Sequence, residues 1–263
     1  MSSLSDSIRL KMLLLLLFIS AVALTPVLAQ GQGAATDPVG GEMNQTDDEL
    51  LWENEDEFQY IEVADPIEPV NRAFFWVNDK FYFYLLKPVA RVYRVVPEPA
   101  RSSVSRAFVN LSTPVRFVNA TLQLKFKVAS KELGRFLVNS TFGLLGLFDA
   151  AQQFGWEKQE EDFGQTLGHY GVGQGFYLVL PIFGPSSLRD GVGLFADRLV
   201  EPITSPYYLK LKDWEAVGLQ SYDLVNKVSL DKDTYEGIKR DYLDPYLFVR
   251  DAYLQHRAAK VEE

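Results

Sequence analysis

The chain has 263 residues, a formal net charge of −9 and no cysteine. Without cysteine it has no disulfide framework, no thiolate metal ligand and no cysteine nucleophile. His169 and His256 are its two histidines, which is too few for the usual zinc sites.

The first 29 residues indicate a secretory signal peptide. Arg9 and Lys11 precede an uncharged apolar run over 12–24, and Val27-Leu28-Ala29 fits a small-residue cleavage site. The apolar run is shorter than the roughly 20 residues of a spanning helix. We therefore predict that 1–29 is removed and that the mature chain begins near Gln30, outside the cytoplasm.

Residues 30–62 are predicted to be an acidic disordered linker, because they are rich in glycine and acids and lack periodicity. Positions 12–71 contain no lysine or arginine and twelve acidic residues. From residue 72 onward the chain has 24 basic and 22 acidic residues. The body is therefore close to neutral, which argues against a nucleic-acid surface.

A helical body is predicted to begin at Asp65-Pro66-Ile67-Glu68. Asp65 is expected to cap the helix, with Pro66 at its first position and Glu68 closing a capping box. Apolar residues then occur on two sides of the helix, so one side meets either a protein core or lipid, and the sequence leaves both open. The candidate membrane-interface residues are Phe74, Phe75, Trp76, Phe81, Tyr82 and Phe83.

Three prolines, Pro88, Pro97 and Pro99, are expected to break the next helices. Four arginines in the same region have two interpretations, a solvated helix face or contact with lipid phosphates. These arginines are Arg91, Arg94, Arg101 and Arg106.

Further helices are predicted from Thr113-Pro114, over 125–142, from a capped start at Ser186-Ser187-Leu188-Arg189-Asp190 to Val200, over 214–228 and 233–242, and after Asp244-Pro245. Phe126, Ala129, Leu133, Phe136 and Leu137 share one face of the second of these. The apolar loop after it, 143–149, suits either a hairpin that dips into a membrane or a buried turn.

The segment 164–190 is predicted to hold the helices together, because it combines many glycines with apolar residues. Such glycines indicate close backbone approach, positive φ or a hinge. Only 176–180 indicates a strand. The fold class is therefore mostly α, with a single domain over 63–263.

The search for catalytic motifs gives nothing specific. A nucleophile elbow is absent, and Gly171-x-Gly173-x-Gly175 lacks the lysine and spacing of a phosphate-binding loop. We predict no metal, no cofactor and no enzymatic activity, and a binding or transport role. A lipolytic enzyme that uses Ser186, Ser187 and His169 is the enzymatic alternative.

Several long motifs, in order, resemble the MlaA (VacJ) family of the Gram-negative outer membrane. The similar segments are 65–79, 88–101, 135–151, 163–190 and 244–257. The residues that carry the family signature are Asn71, Arg72, Gly168, Tyr170, Gly171, Gly173, Gly175, Pro181, Gly184, Arg189 and Asp190.

The resemblance implies a ring-shaped helical assembly, set by amphipathic helices into the periplasmic leaflet of the outer membrane, with a central channel. It implies that phospholipids are removed from the outer leaflet and passed to a soluble periplasmic carrier, and that the protein associates with a trimeric outer-membrane porin. The hairpin and lipid-channel residues are then Phe142, Gly143, Gly146 and Phe148. A porin-associated scaffold without its own lipid path is the alternative.

The chain departs from the family at one point. Family members are typically anchored through a lipidated cysteine after the signal peptide, and this chain has no cysteine. We therefore expect buried apolar surface to hold the body in the membrane.

Overall fold

The computed structural model describes residues 65–205, 207–209 and 211–262. The predicted signal peptide 1–29 and acidic linker 30–62 lie outside the described residues. The ten α-helices of the described part are α1 Glu68–Phe81, α2 Lys87–Tyr93, α3 Glu98–Leu111, α4 Thr113–Leu122, α5 Phe126–Thr141, α6 Phe163–His169, α7 Leu188–Asp197, α8 Asp213–Leu230, α9 Thr234–Asp241 and α10 Pro245–Glu262. The prediction of a mostly α fold is confirmed.

The described residues also contain one antiparallel hairpin of two strands, β1 Tyr177–Leu180 and β2 Gly184–Ser187. The strand predicted over 176–180 is confirmed as β1. Its partner β2 was not predicted, because the sequence Gly-Pro-Ser-Ser has no strand composition. Ile182, in the turn between them, has φ 71° and Gly184, the first residue of β2, has φ 84°, so left-handed backbone closes the β-hairpin.

Pro88 does not break the first helical stretch, contrary to the prediction. A π-helical turn, Tyr82–Leu86, joins α1 to α2, and the N–H of Lys87 donates to the carbonyl of Tyr82, five residues back. This wider turn accommodates a proline that has no N–H for the usual α-helical bond. The chain leaves the helix only after Tyr93, and α3 starts behind Pro97.

The predicted cap at Asp65 is wrong. Helix α1 begins at Glu68, behind Ile67, without a side-chain cap. The carboxylate of Asp65 instead accepts hydrogen bonds from Asn71 Nδ2 at 2.8 Å and from the hydroxyl of Tyr246. It therefore joins α1 to α10, a contact between residues 181 positions apart.

Two asparagines on α1 take the place of a third strand beside β1. Asn71 donates to the carbonyl of Tyr177 and accepts from the N–H of Val179, both at 2.9 Å. Asn78 donates in the same way to Leu180 at 2.9 Å and accepts from Ile182 at 2.7 Å. Seven helical residues rise about 10.5 Å, close to the roughly 10 Å spanned by three strand residues, so both amides reach the strand in register.

The described residues bury more polar than apolar side chains. Twenty-two polar or charged residues are buried, against 11 hydrophobic ones. On α5 the buried residues include Glu132, Arg135 and Asn139, whereas Leu133 and Leu137 are exposed. This polarity is the reverse of that of a surface helix in a water-soluble domain.

A small apolar core of four side chains joins the β-hairpin formed by β1 and β2 to α10. Its members are Tyr177, Val179, Tyr246 and Leu254. Across the part of the chain described here, every helix falls short of the length or the hydropathy that a membrane span requires.

We expect Asn71→Ala to lower the free energy of unfolding by about 2–6 kcal/mol, since it leaves two backbone groups without partners and each such group costs about 1–3 kcal/mol. Asn71 is 1% exposed, so water cannot replace its amide. Denaturant unfolding followed by tryptophan fluorescence measures the change. The matched control is Asn78→Ala, whose partner Ile182 is exposed and whose loss should be smaller. Equal losses would contradict the strand-like role of Asn71.

Candidate functional site

The hairpin loop, residues 142–148, follows α5 and displays large apolar side chains. Phe142, Leu144, Leu145 and Phe148 are all exposed, Phe142 to 79%. Leu144 and Leu145 have φ values of 52° and 60°, and Gly146 has 92°. Left-handed backbone is costly for residues other than glycine, so the loop holds its leucines outward at the expense of strain.

The two glycines of the hairpin loop are required by close packing. A Cβ atom on Gly143 would lie 2.2 Å from the carbonyl oxygen of Phe148, and one on Gly146 would lie 2.4 Å from Asn110 Cβ. Both distances are below any real contact, and the first neighbour is backbone. The loop therefore stays closed on itself and on α3 only with glycine at these positions.

A cavity of about 270 Å³, the hairpin cavity, lies beneath this loop. Gly146 and Asn110 contribute to its wall. Its charged lining residues are Arg106, Arg116, Arg135, Lys158 and Asp149. Arg135 pairs with Asp149, Arg116 with Glu132 and Lys158 with Glu160. Among the described residues, Arg106 is therefore the one cation of this cavity without an ion pair.

The arginines of the hairpin cavity are held in place by hydrogen bonds. Arg106 Nε donates to the carbonyl of Leu147 at 2.9 Å, which ties α3 to the hairpin loop. Arg116 Nε donates to Glu132 at 2.7 Å, and Glu132 is completely buried. Such pairing is what allows charged groups to be buried.

Asp149 links the hairpin loop to α5. Arg135 donates to one of its oxygens at 2.8 Å and Asn139 to the other at 3.0 Å. Partial burial alone would raise the pKa of Asp149, but these hydrogen bonds outweigh it and hold the pKa below its usual range. The carboxylate is therefore charged and balances one of the cavity's cations.

A second cavity of about 240 Å³, the acidic cavity, lies on the other side of the α3–α4 junction. Ser112 lines it, whereas the next residue, Thr113, lines the hairpin cavity. Burial raises the pKa of Asp197 to about 6, and it also raises that of Glu201. Three carboxylates, Asp197, Glu201 and Asp223, line this cavity together with two cations, Arg198 and Lys227.

Arg257, on α10, joins that helix to α6 and α7. It donates to both oxygens of Asp162 at 2.6 and 2.9 Å, and to both of Asp190 at 2.9 and 3.0 Å. Asp162 caps α6, and Asp190 lies in the first turn of α7. Burial alone would raise the pKa of Asp190, but the hydrogen bonds from Arg257 and Tyr253 bring it to about 2.

Most glycines of 164–190 either allow close packing or adopt positive φ. A Cβ on Gly164 would lie 2.4 Å from Asp190 Oδ1, and one on Gly168 would lie 2.8 Å from Arg189 Nη1. Three others have positive φ, whereas Gly173 faces open space without such a φ. The three are Gly171, Gly175 and Gly184.

The other signature residues form joints or lie in turns. Arg72 pairs with Asp244 at 2.8 Å and stacks 4.4 Å over the ring of Tyr246. Tyr170 donates to the carbonyl of Leu122 at 2.5 Å. Pro181 is exposed in the turn of the β-hairpin.

The aromatic residues of α1 and the following turn divide between two sides. Phe74 and Trp76 are exposed, whereas Phe81 is partly buried. Phe75, Tyr82 and Phe83 pack against the ring of Tyr235 with centroids 6.5, 5.0 and 5.9 Å away. The helix therefore meets protein on one side and leaves apolar residues uncovered on the other.

Three of the four candidate arginines hydrogen-bond to backbone carbonyls of other segments and are buried or partly buried, so the interpretation of a purely solvated helix face is wrong for them. Arg94 and Arg101 donate to the carbonyl of Ser229, and Arg106 donates to the hairpin loop. Their side chains thus join helices. Arg91 alone of the four is exposed.

The residues of the lipolytic alternative have other partners. Ser187 caps α7 through the N–H of Asp190 at 3.1 Å, and Ser186 donates to the carbonyl of Ser187 at 3.3 Å. The ring of His169 lies edge-on to Tyr170. Among the described residues, histidines and carboxylates form no group that would hold a metal ion.

Sequence reasoning missed Arg116, Glu132, Asp197 and Arg257. Their partners lie up to 95 positions away along the chain, so no local spacing reveals the pairs. The one signal available was the recurrence of charged residues on the helix side opposite to the apolar one.

Asp197 gives a pH dependence of stability with a defined sign. Its folded pKa of about 6 lies above the ordinary 3.8, so its contribution is present below about pH 4 and is lost as the pH rises through 6. We expect the unfolding free energy to fall by up to about 2–3 kcal/mol over this range. Denaturant unfolding from pH 4 to 7 should show the fall in the unmodified chain and in the exposed-carboxylate control Asp213→Asn, but not in Asp197→Asn. The same fall in all three would contradict the assignment.

Comparison with known proteins identifies the family. Residues 63–260 match the family model described as "MlaA lipoprotein". The chain is 36% identical over 199 residues to a Shigella flexneri protein named intermembrane phospholipid transport system lipoprotein MlaA, covering 73% of this chain and 76% of the relative. It is 35% identical over 206 residues to an uncharacterised protein of Rickettsia bellii, covering 76% and 78%.

A solved structure from work on the "structural basis for maintenance of bacterial outer membrane lipid asymmetry" is also similar. It superposes with a TM-score of 0.65 at 35% identity, over 75% of this chain and 99% of the other. On the matched residues, the sequence identity and the shared fold, this chain belongs to the MlaA lipoprotein family.

Proposed function

We propose that this chain is the outer-membrane component of a phospholipid transport system that maintains lipid asymmetry. It would remove phospholipids from the outer leaflet and pass them to a soluble periplasmic carrier. The observation that carries the proposal is the reversed polarity of the helices, with charged residues inside and apolar residues outside. The name of the Shigella relative and the subject of the similar solved structure support it.

The apolar exterior suits a protein that is embedded in one leaflet of a bilayer. Burying one large apolar side chain is worth about 1.5–3 kcal/mol, so stripes on several helices give a strong preference for lipid. Helices that do not span but display apolar residues lie in the interface. The exposed stripes are Val70, Phe74 and Val77 on α1, Phe126, Leu133 and Leu137 on α5, and Leu188, Val192 and Phe195 on α7.

The polar interior suits the passage of a lipid headgroup. A phospholipid carries a phosphate, and Arg106, which lines the hairpin cavity and has no ion pair among the described residues, would donate to it. The acyl chains would stay outside, against Phe142 and Phe148 of the hairpin loop. In this proposal the helices surround a central channel, and the hairpin loop is the part that moves.

The proposed transport moves a lipid without altering it, so it requires no nucleophile. The partners are those that the family resemblance implies, a trimeric outer-membrane porin and a soluble periplasmic carrier. The porin-associated scaffold without a lipid path is the competing function, and the hairpin loop separates the two.

We expect Gly143→Ala and Gly146→Ala to disturb lipid asymmetry, because an added Cβ collides with Phe148 or Asn110 and displaces the hairpin loop. Each variant would be expressed in cells that lack their own family member. The readout is aminophospholipid labelled at the cell surface, which should rise to the level of cells without the protein. The matched control is Gly173→Ala, where a Cβ meets open space.

Co-purification of the porin with each variant distinguishes the two functions. Transport predicts that the porin is retained while asymmetry is lost. Hairpin variants that bind the porin and keep full asymmetry would contradict transport and favour the scaffold.

A further inference from the structure

A third cavity, of about 500 Å³, lies away from the hairpin and acidic cavities and shares no lining residue with either. It is the α2–α9 cavity, bounded by α2, α9 and the connection between α8 and α9. Phe83 and Pro88 form an apolar part of its wall. Its charged lining residues are Lys87, Arg91, Lys232, Arg240, Asp233 and Glu236.

Two cations of this cavity are available for a ligand. Lys87 is paired with Asp233 and Glu236. Arg240 pairs with its neighbour Asp241 at 2.7 Å. Within the described residues, Arg91 and Lys232 make no ion pair, and both side chains are exposed. The acids of the cavity are thus engaged, while a guanidinium and an ammonium remain unpaired.

Exposed apolar residues occur close in sequence to the lining residues, on α2 and directly after α9. The helix that provides Lys87 and Arg91 also displays Val89 and Val92, the latter 76% exposed. Tyr242 and the fully exposed Leu243 directly follow α9. Cations that lie beside exposed apolar side chains match the boundary of a bilayer, where lipid phosphates meet the acyl chains.

We propose that the α2–α9 cavity binds the phosphate-bearing headgroup of an anionic phospholipid, outside the transport path. Arg91 would contact the phosphate through its planar guanidinium, which can donate two parallel hydrogen bonds. Lys232 would add a second positive charge, and the acyl chains would lie along Val89 and Val92. The bound lipid would be a fixed neighbour that orients the protein at the membrane surface.

This proposal rests on the proposed function, in which the protein is embedded in one leaflet of a bilayer. The competing occupant is the acidic segment 30–62 of the same chain, whose charge is complementary to Arg91 and Lys232. Lipid is favoured because Phe83 and Pro88 line the cavity beside the two unpaired cations, an arrangement that suits a charged headgroup attached to acyl chains; deletion of 30–62 tests the competing occupant.

The test is flotation of the full mature chain with phosphatidylcholine vesicles, with and without one-fifth phosphatidylglycerol. We expect the anionic lipid to tighten binding to vesicles. In Arg91→Ala/Lys232→Ala this gain in affinity should be about 30-fold smaller, since each basic residue near an anionic surface contributes about 1 kcal/mol. Binding to phosphatidylcholine alone should not change. The control Lys127→Ala/Lys131→Ala, which removes two lysines of α5 that have no ion pair among the described residues, should keep the gain.

Three outcomes would overturn the proposal. Equal losses in both double variants would mean general attraction to a charged surface. An unchanged gain in Arg91→Ala/Lys232→Ala would exclude the cavity. A gain that depends on Arg91 and Lys232 only after deletion of 30–62 would assign the cavity to the acidic segment.

A second measurement separates this proposal from the proposed function. The purified chain in neutral detergent is titrated with dihexanoyl phosphatidylglycerol, glycerol 3-phosphate and inorganic phosphate. We expect saturable binding of the short-chain lipid that is lost in Arg91→Ala/Lys232→Ala and weaker binding of both soluble phosphates. Equal binding of inorganic phosphate would overturn the lipid assignment. A chain that binds none of the vesicles but still binds the short-chain lipid would contradict the proposed embedding in a membrane and leave the lipid site standing.

Discussion

The side chain of Arg257 fixes the relative positions of α6, α7 and α10. It illustrates a constraint on the whole fold, which is that buried charges need paired, hydrogen-bonded partners. Its guanidinium is shared between Asp162, which caps α6, and Asp190, which lies in the first turn of α7. A buried charge is tolerated only when it is paired and hydrogen-bonded. Because so many polar side chains are buried here, contacts between helices depend on such pairing.

The same condition explains the other joints. Asn71 satisfies the edge of β1, Arg101 reaches the carbonyl of Ser229 across 128 positions, and Glu132 lies completely buried beside Arg116. Apolar residues excluded from such an interior remain on the outside, where lipid would cover them. The polar interior and the apolar exterior are thus two consequences of one arrangement, and the proposed headgroup path requires both.

Local sequence signals predicted where most helices begin. Ser187 caps α7, Thr113-Pro114 opens α4, and α10 starts at Pro245, as expected from residues that favour a helix start. The glycines of 164–190 indicated close approach, and Gly164 meets Asp190. Asp65 failed as a cap because its carboxylate is engaged by Asn71 and Tyr246, a tertiary contact that no local rule contains.

The direction in which a helix faces could not be predicted. The apolar stripe of α5 was visible in the sequence, but periodicity is the same whether the stripe meets a core or lipid. The structure places Leu133 and Leu137 outside and Arg135 inside. The candidate site was found only in part for the same reason, since Gly143 and Gly146 belong to a local motif whereas Arg106 and Arg116 depend on distant partners.

In the proposed arrangement, the apolar side of the helices meets lipid while the polar side faces a water-filled interior. Because the chain has no cysteine, a single cysteine can carry a spin label at Leu137, outside on α5, or at Ser105, in the wall of the hairpin cavity. In phospholipid vesicles we expect the label at 137 to be accessible to oxygen and shielded from a water-soluble nickel chelate, and the label at 105 to show the reverse. Labels at both positions that are equally accessible to the chelate would contradict the claim.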